Sequence, residues 1–155
     1  EMKERPESLV VIGGGVIGME FACFYQGLGT KVTVIEMLPE ILGGVDGEIA
    51  AMTRSHFARK GIDFHIGAEV TKVDGNKVTF EKDGKSETVE GEKILLSVGR
   101  RPVTKGVGLE NLKIELDRGG IKVDDKMRTN VPNVFAAGDV TDSLYWHTLL
   151  VAKAK

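Results

Sequence analysis

Residues 9–36 read LVVIGGGVIGMEFACFYQGLGTKVTVIE, and a change of period inside this stretch decides the fold. Leu9-Val10-Val11-Ile12 is a short apolar run stopped at Gly13, the pattern of a strand buried on both faces of a parallel sheet. From Val16 the period becomes helical. Ile17, Phe21, Phe24 and Leu28 are spaced 4, 3 and 4 and form one apolar face. Gly27 and Gly29 offer a stop, and the β-branched run Lys31–Glu36 (KVTVIE) reads as a second strand. Strand, glycine turn, helix and strand within about 30 residues is the size of a βαβ unit.

The turn itself, Gly13-Gly14-Gly15-Val16-Ile17-Gly18, fits G-x-G-x-x-G. Gly13 permits a tight strand-to-helix turn. A side chain at Gly15 would block the backbone's approach to a pyrophosphate, and Gly18 lets helix and strand pack closely. The helix N-terminus offers unpaired N–H groups and a partial positive charge to that pyrophosphate. An acid closes the next strand, Glu36, 18 residues after Gly18. This context predicts dinucleotide binding. A carboxylate there accepts bonds from the adenosine ribose hydroxyls and repels a 2′-phosphate, and Ile35-Glu36-Met37-Leu38-Pro39 contains no arginine. NAD(H) is therefore expected over NADP(H).

Outward from this unit, a second helix is expected from Gly47 to Lys60, capped by Asp46 and ended by Gly61, and a third parallel strand from Ile62 to Ile66. The pattern then alternates. Val70–Val73, Lys77–Glu81 and Glu87–Val89, with Asp74-Gly75 and Asp83-Gly84 between them, predict a half-exposed antiparallel meander of three strands. Ile94–Val98 reads as a buried strand again, followed by a glycine-containing loop. Val134–Ala137 is the last strong strand signal and ends at Gly138-Asp139. Residues 143–155 could add one more helix. The expected fold is α/β: a Rossmann-like parallel sheet with helices on its faces and an inserted three-stranded meander.

Three further positions carry two readings each. Glu20 is either a polar contact toward the nicotinamide end or an ordinary surface acid near a helix start. Gly99, after a strand, either allows close backbone approach to a ligand at the strand's carboxyl end or forms a plain turn ended by Pro102. Asp139 is a ligand contact or a turn former.

Composition narrows the function classes. The chain has 155 residues, 21 Lys plus Arg and 23 Asp plus Glu, for a net charge of −2, so there is no basic excess for a nucleic-acid partner. No apolar run approaches the roughly 18 residues of a membrane span. A soluble cytoplasmic domain is expected. The 20 glycines are nearly twice the ~7% background and have no repeat period, so they act as punctuation. Cys23 is the single cysteine and reads as a packing residue. His56, His65 and His147 lack metal-ligand spacing, and Trp146 reads as packing or as an exposed residue near the chain end.

Four segments in order, VVIGGGVIGMEFA (10–22), VTVIEMLPEIL (32–42), LLSVGRRP (95–102) and TNVPNVFAAGDV (129–140), resemble the pyridine nucleotide-disulfide oxidoreductases, most closely the dihydrolipoamide dehydrogenase branch. The resemblance implies one NAD-binding domain over residues 1–155, with its core at about 8–140 and residues 141–155 beginning the next segment. It places NAD contacts on Gly13, Gly14, Gly15, Val16, Ile17, Gly18, Met19 and Glu20, on Glu36, on Val70 and on Gly99. It makes Asp139 a partial FAD contact and implies a homodimeric parent carrying FAD and interface domains. Departures accompany it. The family's C-x4-C pair is missing, as are its second G-x-G-x-x-G and its C-terminal catalytic His, and Thr141–His147 matches the family poorly. Together with the opening Glu1, these departures lead to the expectation of an excised domain without activity of its own. The alternatives are another branch (NADH oxidase, mercuric reductase or glutathione reductase) or a non-catalytic NAD-sensing module. An S-adenosylmethionine-dependent methyltransferase shares the glycine turn but not the later Gly-Asp.

Overall fold

The computed structural model describes residues 4–141, which fall into two compact units divided between Gly99 and Arg100. The first unit is built on a four-stranded parallel sheet. β1 (Ser8–Ile12) pairs on one side with β2 (Lys31–Glu36) and on the other with β7 (Lys93–Leu96), and β2 pairs with β3 (Asp63–Ile66), giving the order β3-β2-β1-β7. The crossovers are α1 (Val16–Gly27) and α2 (Gly47–Arg59). Between β3 and β7 the chain forms the antiparallel meander β4 (Glu69–Asp74), β5 (Lys77–Lys82) and β6 (Lys85–Glu90).

Side-chain alternation along β1 sorts the core into two layers. Leu9 and Val11 join Val32, Val34 and Ile62 against Met19 and Ala22 of α1, with Phe57 of α2 at the margin. Val10 and Ile12 join Ile35, Ala68, Val78 and Phe80, so the other layer is covered by the meander. The expected α/β architecture is therefore present. Both helices serve one face of the sheet and the meander takes the place of helices on the other.

Several elements differ from the sequence-based expectation. The α1 stripe Ile17, Phe21, Phe24, Leu28 is not the core face. All four side chains are exposed, Phe24 by 60%, while Gly18, Met19 and Ala22 are buried. Small residues let the helix axis approach the sheet, and that approach rather than side-chain bulk chooses the face. β7 is an edge strand with Ile94 and Leu95 only half-buried and Leu96 68% exposed, so its apolar run is not enclosed. The first hairpin turn is Gly75-Asn76 rather than Asp74-Gly75, because Asp74 already pairs with Lys77. The second is Asp83-Gly84 as expected, with both residues at positive φ, as a type I′ turn requires.

The second unit has little regular structure among the described residues. It holds a short 3-10 helix (Leu109–Leu112) and a two-residue ladder between β8 (Leu116–Asp117) and β9 (Gly120–Ile121). Val134–Ala137 is not a strand. Phe135 makes one isolated antiparallel bridge, to Arg128, and is exposed. The expected helix over 143–155, with Trp146 and His147, lies outside the described residues.

Candidate functional site

The carboxyl ends of β1, β2 and β7 open on one cleft of about 540 Å3, lined by Ile12, Gly13, Gly15, Ile35, Glu36, Met37, Leu38, Gly43, Ala68, Glu69, Val70, Ser97, Val98 and Gly99. Parallel α/β sheets bind ligands at this end of the strands.

The glycine turn at its base is held by backbone contacts. Gly13 sits at φ +103, a conformation that L side chains rarely adopt. A Cβ there would also come 2.5 Å from the Ser97 carbonyl oxygen. The Gly13 amide donates to the Ile35 carbonyl at 2.8 Å, which ties the turn to β2. The Ser97 hydroxyl lies 2.9 Å from the carbonyl oxygens of both Ile12 and Gly13 and is placed to donate to either. A Cβ on Gly18 would collide with the Gly13 carbonyl and reach 2.7 Å from Ser97 Oγ. Gly15 differs. A Cβ there meets no protein atom within 4 Å, so protein packing does not require glycine at that position. Gly15 is the N-cap of α1, and no side chain caps this end. The first-turn amides have no intrahelical acceptors and carry the positive end of the helix dipole.

Glu36 stands beside this turn at the end of β2. Its Oε2 accepts from the Gly14 amide at 2.6 Å and its Oε1 accepts from the Leu38 amide at 2.7 Å. Each oxygen has a second lone pair for an incoming hydroxyl. The Glu36 carbonyl accepts from Ala68 N–H, and the Leu38 carbonyl from Gly67 N–H. These bonds bring the start of the meander, and with it Val70, to the cleft. Met37 and Leu38 are exposed at its lip.

Of the residues expected to bind a cofactor, the structure brings Gly13, Gly15, Glu36, Val70 and Gly99 to the cleft lining. Gly14 and Gly18 are buried supports of the turn. Val16, Ile17 and Glu20 are exposed on α1 and do not line the cleft. Met19 is also absent from the lining: its side chain is buried in the core against the sheet, since position 19 lies on the side of α1 that Gly18 and Ala22 press inward. Asp139 lies in the second unit, exposed, with one oxygen 3.7 Å from an Arg100 guanidinium nitrogen. Sequence reading passed over Met37, Leu38, Ala68, Glu69, Ser97 and Val98. Ser97 had a signal, the one hydroxyl residue within the apolar run 94–98, but its partner depends on β7 lying next to β1.

Cys23 is half-buried against the helix-side core, and burial pushes its thiol above the ordinary range, so it is a packing group rather than a ready thiolate. Among the described residues no group of three or more His, Cys, Asp or Glu could hold a metal ion, and no helix is long and apolar enough to cross a membrane.

Comparisons with known proteins agree with this geometry. The family model of pyridine nucleotide-disulphide oxidoreductases matches residues 1–154. A dihydrolipoyl dehydrogenase from Acholeplasma laidlawii is 48% identical over 139 residues, 90% of this chain and 41% of that protein. One from Geobacillus stearothermophilus is 44% identical over 143 residues, 88% of this chain and 30% of that protein. The chain thus spans well under half the length of the curated relatives it matches. Among solved structures it is similar to LpdA from Mycobacterium tuberculosis (TM-score 0.79, 35% identity, 92% of this chain and 32% of that one). It is also similar to the HOCl-induced flavoprotein disulfide reductase RclA from Escherichia coli (TM-score 0.81, 31% identity, 93% and 33%). The family model matches nearly the whole length, and the chain, with its glycine turn, its acid at the end of the next strand and its inserted meander, belongs to the pyridine nucleotide-disulphide oxidoreductase family.

Proposed function

We propose that this chain is the NAD(H)-binding domain, core residues about 8–140, of a dihydrolipoamide dehydrogenase-like flavoenzyme. The observation that carries the reading is the pairing in one cleft of an unobstructed backbone at Gly15 with the Glu36 carboxylate. The pyrophosphate would lie over Gly13–Gly18, where the first-turn amides of α1 donate to it. Glu36, with its remaining lone pairs, would accept from the adenosine ribose hydroxyls. A 2′-phosphate would meet like charge there and find no donor in the 35–39 stretch. Met37, Leu38 and Val70 supply apolar surface at the adenosine side, and Gly99 would let the chain pass close to the nicotinamide half. Val16 and Ile17 would take part through their first-turn amides, Met19 through the packing that seats α1, and Glu20 as a polar contact toward the nicotinamide end.

When bound, the nicotinamide supplies hydride chemistry, and this chain's task is to hold it in place. In the whole protein, electrons from a dithiol would reach NAD+ through a disulfide and FAD. Asp139 would be a partial FAD contact, and homodimer contacts and a cytoplasmic setting belong to the same proposal. The 155-residue chain has one cysteine and is expected to turn over no dihydrolipoamide.

Titration of the purified chain with NADH and NADPH, followed by nicotinamide fluorescence, tests the reading. NADH should bind more tightly by about tenfold or more, equivalent to about 1.4 kcal/mol. Glu36→Ala should narrow that ratio even if it weakens both nucleotides. Equal binding of the two by the wild-type chain would remove the role given to Glu36.

A further inference from the structure

Gly14 is tied both to the end of β2 and to the segment that follows it. Its amide donates to Glu36, and its carbonyl accepts from the Leu42 amide at 2.8 Å. A Cβ on Gly14 would approach Ile41 Cγ2 to 3.0 Å, so Ile41, itself buried, is the floor beneath it. Leu42 delivers its N–H from a left-handed backbone, φ +55. A non-glycine residue holds that conformation only where its surroundings force it.

Two residues before Leu42, a side-chain pair ties the segment to α2. Glu40, next to Ile41, accepts twice from Arg54 of α2: Nε to Oε1 at 2.8 Å and Nη2 to Oε2 at 3.0 Å. Oε1 also accepts from the Ile41 amide at 2.9 Å. The fork-to-fork geometry fixes direction as well as distance. Both side chains are mostly shielded from water, which screens such a pair less than a fully exposed one. α2 in turn packs on the sheet-side core through Phe57 and buries Ala50.

We propose that Arg54 is a positioning residue for nucleotide binding: with Glu40 it latches residues 37–46 to α2 in the one arrangement that presents Ile41 and Leu42 to Gly14, and so sets the glycine turn from a distance. The inference rests on the reading of the cleft as a nucleotide site. Arg54 touches no ligand in this scheme. It acts through Glu40, Ile41 and Leu42.

The test uses the whole chain and two readouts. Arg54→Ala should weaken NADH and ADP-ribose by the same factor, roughly three- to tenfold, because the turn belongs to the half that the two ligands share. It should also speed amide exchange at Gly14 and Leu42 while leaving Val10 and Val34, in the middle of β1 and β2, unchanged. Arg54→Lys keeps the charge, loses the fork and should fall between. The exchanged pair Glu40→Arg with Arg54→Glu should restore slow exchange and most of the affinity, which a merely destabilised helix would not do. Unchanged exchange at Gly14 and Leu42 in Arg54→Ala, or losses that the exchanged pair does not rescue, would overturn the proposal. A wild-type chain that bound neither nucleotide would instead defeat the function reading, and the exchange readout would still decide whether the latch exists.

Discussion

Two irregular stretches of this protein solve the same problem differently. Residues 37–46 and residues 122–135 both lack helices and strands, both contain at least one non-glycine residue at positive φ, and both are braced by an Arg–carboxylate pair. In the first, Glu40 reaches across to a helix 14 residues on, and the residue beside it, Ile41, is in the core. In the second, Asp124 pairs with Arg128 four residues away on the surface and accepts from the Lys126 and Arg128 amides. The first pair joins separate elements and transmits position. The second closes a local turn, with Arg128 also bridging to Phe135 seven residues on. A surface pair of short reach contributes little to stability in general, whereas a pair that fixes a buried neighbour acts through that neighbour's packing.

Removing the buried anchor Ile41 should give the largest difference between the two stretches. Ile41→Ala should destabilise the first unit by about 2–5 kcal/mol, the range for truncating a core aliphatic side chain. Val103, in the second unit and 78% exposed, should change stability by no more than about 0.5 kcal/mol as Val103→Ala. Urea unfolding of both variants measures the contrast, and similar losses would erase it.

Acid should separate the two ion pairs by a smaller effect. The Arg54 hydrogen bond is the main cause that holds the Glu40 carboxyl below the ordinary glutamate value of 4.5. A carboxylate with a depressed folded value contributes its full stabilisation above the unfolded value and loses it as pH falls through the folded one. The latch should therefore be constant from pH 8 down to about pH 5 and release below the ordinary glutamate range. A Glu40 carboxyl titration by NMR with its midpoint at or above 4.5 would contradict this. Asp124, held at about 2 chiefly by its hydrogen bond from Arg128, should stay ionised further into acid.

The smallest expected effect is that of Asp124→Asn. It should speed amide exchange at Lys126 and Arg128 and leave Gly14 and Leu42 unaltered. Any change at Gly14 would mean that the two stretches are coupled.

What was legible in the sequence followed from short-range rules. The β1–α1–β2 unit, the Asp46 cap and the Asp83-Gly84 turn are each specified by residues close together in the chain. The cap accepts from Glu48 and Ile49 N–H because an Asx side chain at that offset can reach them. The side of α1 that faces the sheet was not legible, because apolar residues lie on both sides of that helix and steric contact between Gly18 and Gly13 makes the choice. Val134–Ala137 shows the opposite error. Its residues suit a strand, but its one isolated bridge, to Arg128, does not make it one. At the candidate site, the glycine turn and Glu36 stood out because each has a fixed offset from a strand end. Ser97 and the Glu40–Arg54 pair did not, since what they touch is settled by strand order and by a crossover.

The outer stripe of α1 has a practical consequence. Phe21, Phe24 and Leu28 present oily surface to solvent on a helix whose other side is already occupied. Attraction between such surfaces grows with warming and fades in the cold, so a concentrated preparation that is clear on ice is expected to turn cloudy at room temperature, and sulfate salts will bring that point closer.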